Sequence, residues 1–441
     1  MGPEVIFYSL ALLIALVLLG VHIGIALGVA SAVGVFLVTQ DLHIALSLLG
    51  LTSYEAIRSD ALAVIPLFIF MGEVVSRSGA ARDLFVVCER GLKRLPGRLA
   101  AATVLGNTAF AAVSGVAIAS AATFGRVAYP EMRRLGYDKR YALGVIAGSA
   151  CLGMLIPPSV LLIIWAILTE GSVGALFIGG IGPGLLLGLA FLAFTVIAAR
   201  LNPALAPAAG DAASAGADVP VTRAELLSGL GILALVVIVL GGLWGGFFTP
   251  TEAAGFGALG SILVGALKRM GRKAFMEAVY DAGRSTAPIM FLLIAGAMYS
   301  RFLAMSGGVN LIQELFTSGG VTLLVALGIM TGVWLVLGAL VDSISVILMT
   351  VPIFAPIAEA MGVDAIAFAI YGILIIEAGL LTPPVGLLVF TLKSAVPDTT
   401  VSLKDIFRGA VPYWLIMLLV ALIVWFVPAL ASWLPAHMLY G

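Results

Sequence analysis

The chain is 441 residues long, 62% apolar and only 10% charged, and its 23 basic and 23 acidic residues balance to a net charge of zero. With a mean hydropathy of +1.18, this composition excludes a soluble domain and places the chain in a bilayer as an all-α polytopic membrane protein. The basic residues fall in short loops, which reads as membrane topology and excludes a nucleic-acid surface.

The apolar run that begins at Val5 has no basic stretch before it and no small-residue cleavage pattern ahead of residues 21–30, so it is read as a mature membrane segment. The number of spans before Asp60 stays open. Residues 77–140 then carry 11 of the 23 Lys and Arg residues. Within them, residues 99–130 form an apolar stretch with basic loops on both sides. A single span would put one of those loops outside, so the stretch is predicted to be a re-entrant hairpin that opens to the cytoplasm and turns at Ser114-Gly115. Residues 141–168 follow as a helix broken at Pro157-Pro158, since two prolines remove two amide donors and constrain the residue before each.

A span at 176–199 closes the first half, residues 1–200. A polar linker is assigned to 201–225, whose Ala, Pro, Gly, Ser and Asp content shows no apolar period. The second half, 226–441, is predicted to contain spans at 227–246, 253–267 and 286–303, with a cationic amphipathic stretch at 268–284 lying along the cytoplasmic interface. A second hairpin at 321–356 turns near Val341-Asp342-Ser343 and opens to the periplasm. A second broken helix at 366–392 is interrupted at Pro383-Pro384, and the C-terminus is predicted to be periplasmic.

The two halves share a signature. Pro130, Gly136, Asp138, Gly153, Leu155, Pro157 and Pro158 recur 226 positions later as Pro356, Gly362, Asp364, Gly379, Leu381, Pro383 and Pro384. The first copy sits among basic residues, whereas residues 305–364 contain no Lys or Arg. Basic loops stay on the cytoplasmic side, so the copies face opposite sides of the bilayer, the pattern of inverted-topology repeats in secondary transporters.

Each hairpin turn combined with its broken helix makes a candidate cation site. Half-helix carbonyls and Ser or Thr hydroxyls supply the oxygens a sodium ion prefers. One break alone is equally a packing kink; two at matching spacing favour a site. The residues bordering the turns and breaks, Gly115, Pro157, Ser343 and Pro383, together with the ionisable Arg126, Asp342 and Glu377, are candidate substrate contacts. Asp342 reads first as a helix cap, with ion ligation as a second role. Glu377 can carry a proton or fix the neighbouring break, and Arg126 can snorkel to the interface or attract an anion. His22, His43 and His437 are too scattered for a metal cluster, Cys88 and Cys151 suggest no disulfide, and no catalytic or phosphate-loop motif occurs. The chain is therefore read as no enzyme, and an ion gradient remains as the simple source of energy.

Residues 110–115 with the Ala-rich arm that follows, Pro130-Glu131-Met132, Gly136-Tyr137-Asp138, Leu155-Ile156-Pro157-Pro158-Ser159 and Gly379-Leu380-Leu381-Thr382-Pro383-Pro384-Val385-Gly386 occur in series. In this the chain resembles the large, DctM-type membrane subunit of tripartite ATP-independent periplasmic (TRAP) transporters. The resemblance implies an elevator-type transporter of the bacterial inner membrane whose moving domain holds both hairpins and both broken helices. It implies a small four-helix membrane subunit as partner, a periplasmic substrate-binding protein that delivers an organic acid, and two or more bound sodium ions with no organic cofactor. Cation ligands carry over onto Ser114, Gly153, Ile156 and Pro158, and onto Gly338, Gly379 and Thr382. Where the family often has further hydroxyls after the first turn, this chain has Val116-Ala117-Ile118, so side-chain ligation there reduces to Ser114. The functional expectation is a sodium-coupled organic-acid importer. The alternatives are a self-contained ion-coupled carboxylate symporter and an uncoupled channel or membrane scaffold.

Overall fold

The computed structural model describes residues 4–58, 60–92, 95–207, 222–308, 311, 313–314, 316 and 320–438, and all regular structure among the described residues is helical. Eight of these helices are long and apolar enough to cross a bilayer, or nine if Val64–Arg77 and Ala80–Gly91, bent by 66°, make one span. Leu185, Leu189, Val237, Leu263 and Leu419 are exposed on long helices, as expected where the solvent is lipid. Most of the polar linker assigned to 201–225 lies outside the described residues.

The repeated Gly and Asp residues acquire a local reason. Gly136 and Gly362 adopt φ of +84° and +78°, ending the helices before them in a left-handed turn. Two residues on, Asp138 and Asp364 cap the next helices by accepting from the amides of Tyr141 and Ala367, each at 2.8 Å.

Packing follows the same pairing. Glu4–Leu18 lies on Ile23–Thr39, and its counterpart Arg223–Trp244 lies on Pro250–Leu267. Pro250–Leu267 then packs on Val64–Arg77, just as Ile23–Thr39 packs on Arg272–Met305, and Val64–Arg77 and Arg272–Met305 touch each other. These helices form a frame. Across the two halves, Ala117–Arg134 of the first packs on Leu387–Ala395 of the second, and Ser343–Ala360 of the second on Val160–Leu168 of the first. Leu403–Phe426 lies so close along Lys139–Ala150 that a Cβ on Gly144 would sit 2.0 Å from the Gly409 carbonyl oxygen. Small residues permit such backbone approach between membrane helices.

Ion pairs and hydrogen bonds tie charged segments of different elements to one another. Arg77 bonds Glu277 at 2.7 Å and also Asp281, and Lys268 bonds Asp83 at 2.5 Å. Arg98 pairs with Glu89 at 3.5 Å, Lys139 and Arg140 pair with Asp405 at 2.9 and 3.2 Å, and the Tyr129 hydroxyl donates to Asp398 at 2.8 Å. One sequence expectation changes: the amphipathic stretch at 268–284 is not a separate interfacial element, because Arg272–Met305 is a single helix of 34 residues. In the first half the chain does break at this level, where the 3-10 turn Asp60–Ala63 separates Leu42–Arg58 from Val64–Arg77. The corresponding residues of the second half, 286–289, stay helical although Pro288 lies among them.

Candidate functional site

The first hairpin consists of Arg98–Ser114 and Ala117–Arg134, turning at Gly115 and Val116. Its tip meets the first broken helix where Leu152–Leu155 gives way to extended backbone at Ile156, passes the cis Pro157-Pro158 bond and restarts as Val160–Leu168. The approach is backbone to backbone. A Cβ on Gly115 would lie 2.5 Å from the Pro158 carbonyl oxygen, and one on Gly153 would lie 3.1 Å from the carbonyl carbon of Val116. The Val160 amide donates to the Gly115 carbonyl at 3.4 Å.

Ser114, Gly115, Gly153 and Pro158 are therefore brought together, with Ile156 and Pro157 turned toward Gly184 and Gly180 of Val173–Leu201. Ser114 is buried, and its hydroxyl has no hydrogen-bond partner among the described residues. Ser159, which sequence reasoning passed over, caps the restarted helix by accepting from the Leu162 amide at 3.4 Å, and its hydroxyl donates to the Met154 carbonyl across the break. A serine directly after Pro-Pro was the available signal, because the residue before a new helix prefers a short hydroxyl or carboxyl side chain.

The second hairpin, Leu323–Leu340 and Ser343–Ala360, turns at Val341 and Asp342 and meets Ala365–Gly379. Here Gly338 and Gly379 abut, a Cβ on Gly379 falling 2.7 Å from the Gly338 Cα. The Gly386 amide donates to the Ala339 carbonyl at 3.1 Å. Gly386 and Val160 are 226 positions apart, so each half bonds the restart of its broken helix back to its own hairpin tip. Thr382 is half-buried beside the break and donates its hydroxyl proton to the Ala378 carbonyl at 2.9 Å, while Pro383 is exposed.

Asp342 is committed to capping. Its two carboxyl oxygens accept from the Ser345 amide at 3.0 Å and the Ser345 hydroxyl at 2.5 Å. Glu377 is 1% exposed and accepts a hydrogen bond from the Ser343 hydroxyl at 2.7 Å. Arg126 joins neither junction. It sits 11 residues past Gly115, about 16 Å along the helix at 1.5 Å per residue; its side chain is exposed and its Nε donates to the Ala122 carbonyl. A further buried pair was not anticipated: the Asn107 side-chain amide on the first hairpin donates to the Ser149 hydroxyl on the first broken helix at 2.7 Å. A carboxamide alone in an apolar arm was the only sequence signal for it.

Comparison with known proteins gives this arrangement its context. Residues 10–430 match the family described as the tripartite ATP-independent periplasmic transporter, DctM component. The C4-dicarboxylate TRAP transporter large permease protein DctM of Pseudomonas aeruginosa is 33% identical over 92% of this chain and 93% of its own length. The isethionate TRAP transporter permease protein DctMQ of Oleidesulfovibrio alaskensis is 27% identical over 86% of this chain and 58% of its own length. Among solved structures, the YdaH transporter of Alcanivorax borkumensis aligns with a TM-score of 0.61 at 15% identity, covering 90% of this chain and 89% of that one, which is a likeness of fold. The chain belongs to the DctM component family of the tripartite ATP-independent periplasmic transporters, and is a multi-pass membrane subunit of a secondary transporter rather than an enzyme.

Proposed function

We propose that this chain is the sodium-coupled transport subunit of a bacterial inner-membrane importer that takes up an organic acid from a periplasmic substrate-binding protein. A small four-helix membrane subunit braces its frame. The observation that carries this reading is the pair of junctions related by the 226-residue repeat, each a hairpin tip closed backbone to backbone on a broken helix. Such breaks are where transporters place ion and substrate sites, and hairpins entering from opposite faces suit alternating access. The names of the relatives, C4-dicarboxylate and isethionate, support a small organic anion. A relative of which only 58% is matched supports a further component beyond the part this chain represents.

The donor set fits sodium. At the first junction the buried Ser114 hydroxyl lacks a protein partner, and the Pro158 carbonyl points at the tip; Gly153 and Ile156 would add backbone oxygens. At the second, the Thr382 hydroxyl spends its proton on Ala378, which leaves its oxygen lone pairs available to a cation beside the carbonyls of Gly338 and Gly379. In this reading the chain's own residues do three things. Glycine lets backbone oxygens converge, the prolines keep the break from closing into helix, and the packed hairpin arms keep lipid and water out.

The test is thermal unfolding of the detergent-purified chain in matched sodium, potassium and choline chlorides, because a ligand that binds only the folded state raises its stability with occupancy. Sodium is expected to raise Tm by several degrees over the other cations, and Thr382→Val to reduce that rise. Sodium dependence unchanged in Thr382→Val would remove the hydroxyl from the site, and full uptake by this chain alone in proteoliposomes would reject the need for a binding protein.

A further inference from the structure

The repeat makes the two hairpin tips comparable residue by residue, and at two positions that meet in the second half they differ in kind. An offset of 226 sets Glu377 against Cys151 and Ser343 against Ala117. The second tip therefore has a carboxyl and a hydroxyl where the first has a thiol and a methyl. In the folded chain the carboxyl and hydroxyl meet: the Ser343 Oγ–H donates to Glu377 Oε1 at 2.7 Å, with Ser343 3% and Glu377 1% exposed.

The bond occupies a particular place. Gly338, near the end of the first arm, touches Gly379. Ser343, at the start of the second arm, is bonded to Glu377, two residues earlier on the same broken helix. Both arms are thus fastened to Ala365–Gly379 within one turn of the break. Asp342 between them is occupied in capping through Ser345, so it does not compete with Glu377 for the Ser343 hydroxyl. The second carboxyl oxygen, Oε2, has no hydrogen-bond partner among the described residues, so the Ser343 hydroxyl is the contact through which this side chain reaches the hairpin. At the first tip the equivalent closure is steric, the wedge of Gly115 against Pro158.

We propose that Glu377 is a positioning residue that clamps the tip of the second hairpin to its broken helix through Ser343, holding the Gly338, Gly379 and Thr382 junction in its cation-binding shape. The proposal deepens the sodium-coupled reading and rests on it. Glu377 acts here as a hydrogen-bond acceptor. An amide in its place retains an acceptor oxygen for Ser343, while alanine at either position removes the clamp.

The experiment uses the full-length purified chain in a Cys88→Ser background, with Val341→Cys as a reporter thiol at the second tip. Two quantities are read: the rate at which a maleimide labels the Val341→Cys thiol, and the sodium concentration that gives half of the thermal shift. Ser343→Ala and Glu377→Ala are each expected to speed labelling and to raise half-saturating sodium on the order of fivefold, the effect of one interhelical hydrogen bond. The double variant should match the single ones, and Glu377→Gln should stay within about twofold of the parent. Should Glu377→Ala fail to fold, Ser343→Ala carries the test, because it removes one small hydroxyl. Unchanged labelling and sodium dependence in Ser343→Ala would overturn the clamp. So would a Glu377→Gln variant as damaged as Glu377→Ala beside a silent Ser343→Ala, since that pattern makes the carboxylate itself the ligand. If the parent shows no sodium shift, the sodium reading fails, yet the labelling rates still decide whether the clamp exists.

Discussion

The two junctions descend from one sequence pattern and are held shut by different means. At the first, residues 151–160 are all buried, the tip is pressed against the frame so closely that a Cβ on Gly72 would lie 2.8 Å from the Ser114 Cα, and the side-chain tie is Asn107 to Ser149, two turns below the tip. At the second, Thr382 is half-buried, Pro383 and Pro384 are exposed, and the tie is Ser343 to Glu377 at the tip itself. Two further side-chain bonds secure the second hairpin, Thr331 to Tyr371 at 2.6 Å and Trp334 to Thr350 at 2.9 Å. What the junctions share is backbone: a glycine contact and an amide bonded back from the restarted helix. What differs is the side-chain fastening. A cation held by backbone carbonyls depends on the shared part, and the ease with which each tip opens depends on the part that differs.

The shared part is broken most directly by adding one methyl group. Gly115 adopts φ of +62° and has the Pro158 carbonyl 2.5 Å from where a Cβ would stand. Alanine there meets both a left-handed backbone penalty and an overpacked contact, together about 3 kcal/mol. Gly362 adopts φ of +78° with nothing within 4 Å of its Cβ position, so Gly362→Ala should cost only the backbone term, about 1 kcal/mol. Unfolding of the two variants in detergent measures the difference. If Gly115→Ala is no less stable than Gly362→Ala, the first junction is not closed by the glycine contact.

How much of this was legible in the sequence depended on whether a residue's meaning is local. Gly136 and Asp138, like Gly362 and Asp364, specify a helix stop and a helix start within a few residues of themselves, and Pro-Pro breaks a helix wherever it occurs. The repeat, the helical breaks and the Asp342 turn could therefore be read directly. Asn107–Ser149, Ser343–Glu377 and the contact of Gly144 with Gly409 could not, because each needs the register of two helices far apart in sequence, which packing alone sets. Arg126 shows the same limit: its place in an apolar arm allowed either snorkelling to the interface or attraction of an anion, and only the fold shows its side chain exposed and bonded within its own helix. The long helix Arg272–Met305 was missed because a change from amphipathic to fully apolar character looks like a boundary even where the backbone continues.

The unlike fastenings predict unlike consequences. Asn107→Ala removes the donor to Ser149, whose hydroxyl keeps its bond to the Val145 carbonyl, so no buried group is stranded on the partner side. The expected loss is about 1 kcal/mol, the scale of a hydrogen bond between membrane helices. Because the bond lies in the first half, maleimide labelling of the Val341→Cys reporter at the second tip should not change. Accelerated labelling there would mean that the two junctions loosen together, and the contrast between them would be lost.

The smallest effect concerns the ends of the hairpins rather than their tips. The first hairpin's second arm is tied to the segment that follows Leu387–Ala395 by Tyr129, which donates to Asp398. The Asp398 carboxyl is held at about 2, below the usual aspartate range, first by the Thr400 hydroxyl and next by Tyr129. A carboxyl whose folded value is depressed contributes stability above its ordinary value near 3.9, and loses that contribution as pH falls through the folded value. Tyr129→Phe should therefore lower Tm slightly at pH 6, and the gap from the parent should narrow as pH drops from about 4 toward 2. The exposure of Asp398 keeps the effect small, since solvent and salt screen it. A gap of constant size across that range would show that the Tyr129 hydroxyl does not act through the ionised carboxylate, leaving this arm anchored by its packing against Leu387–Ala395, Lys139–Ala150 and Arg98–Ser114.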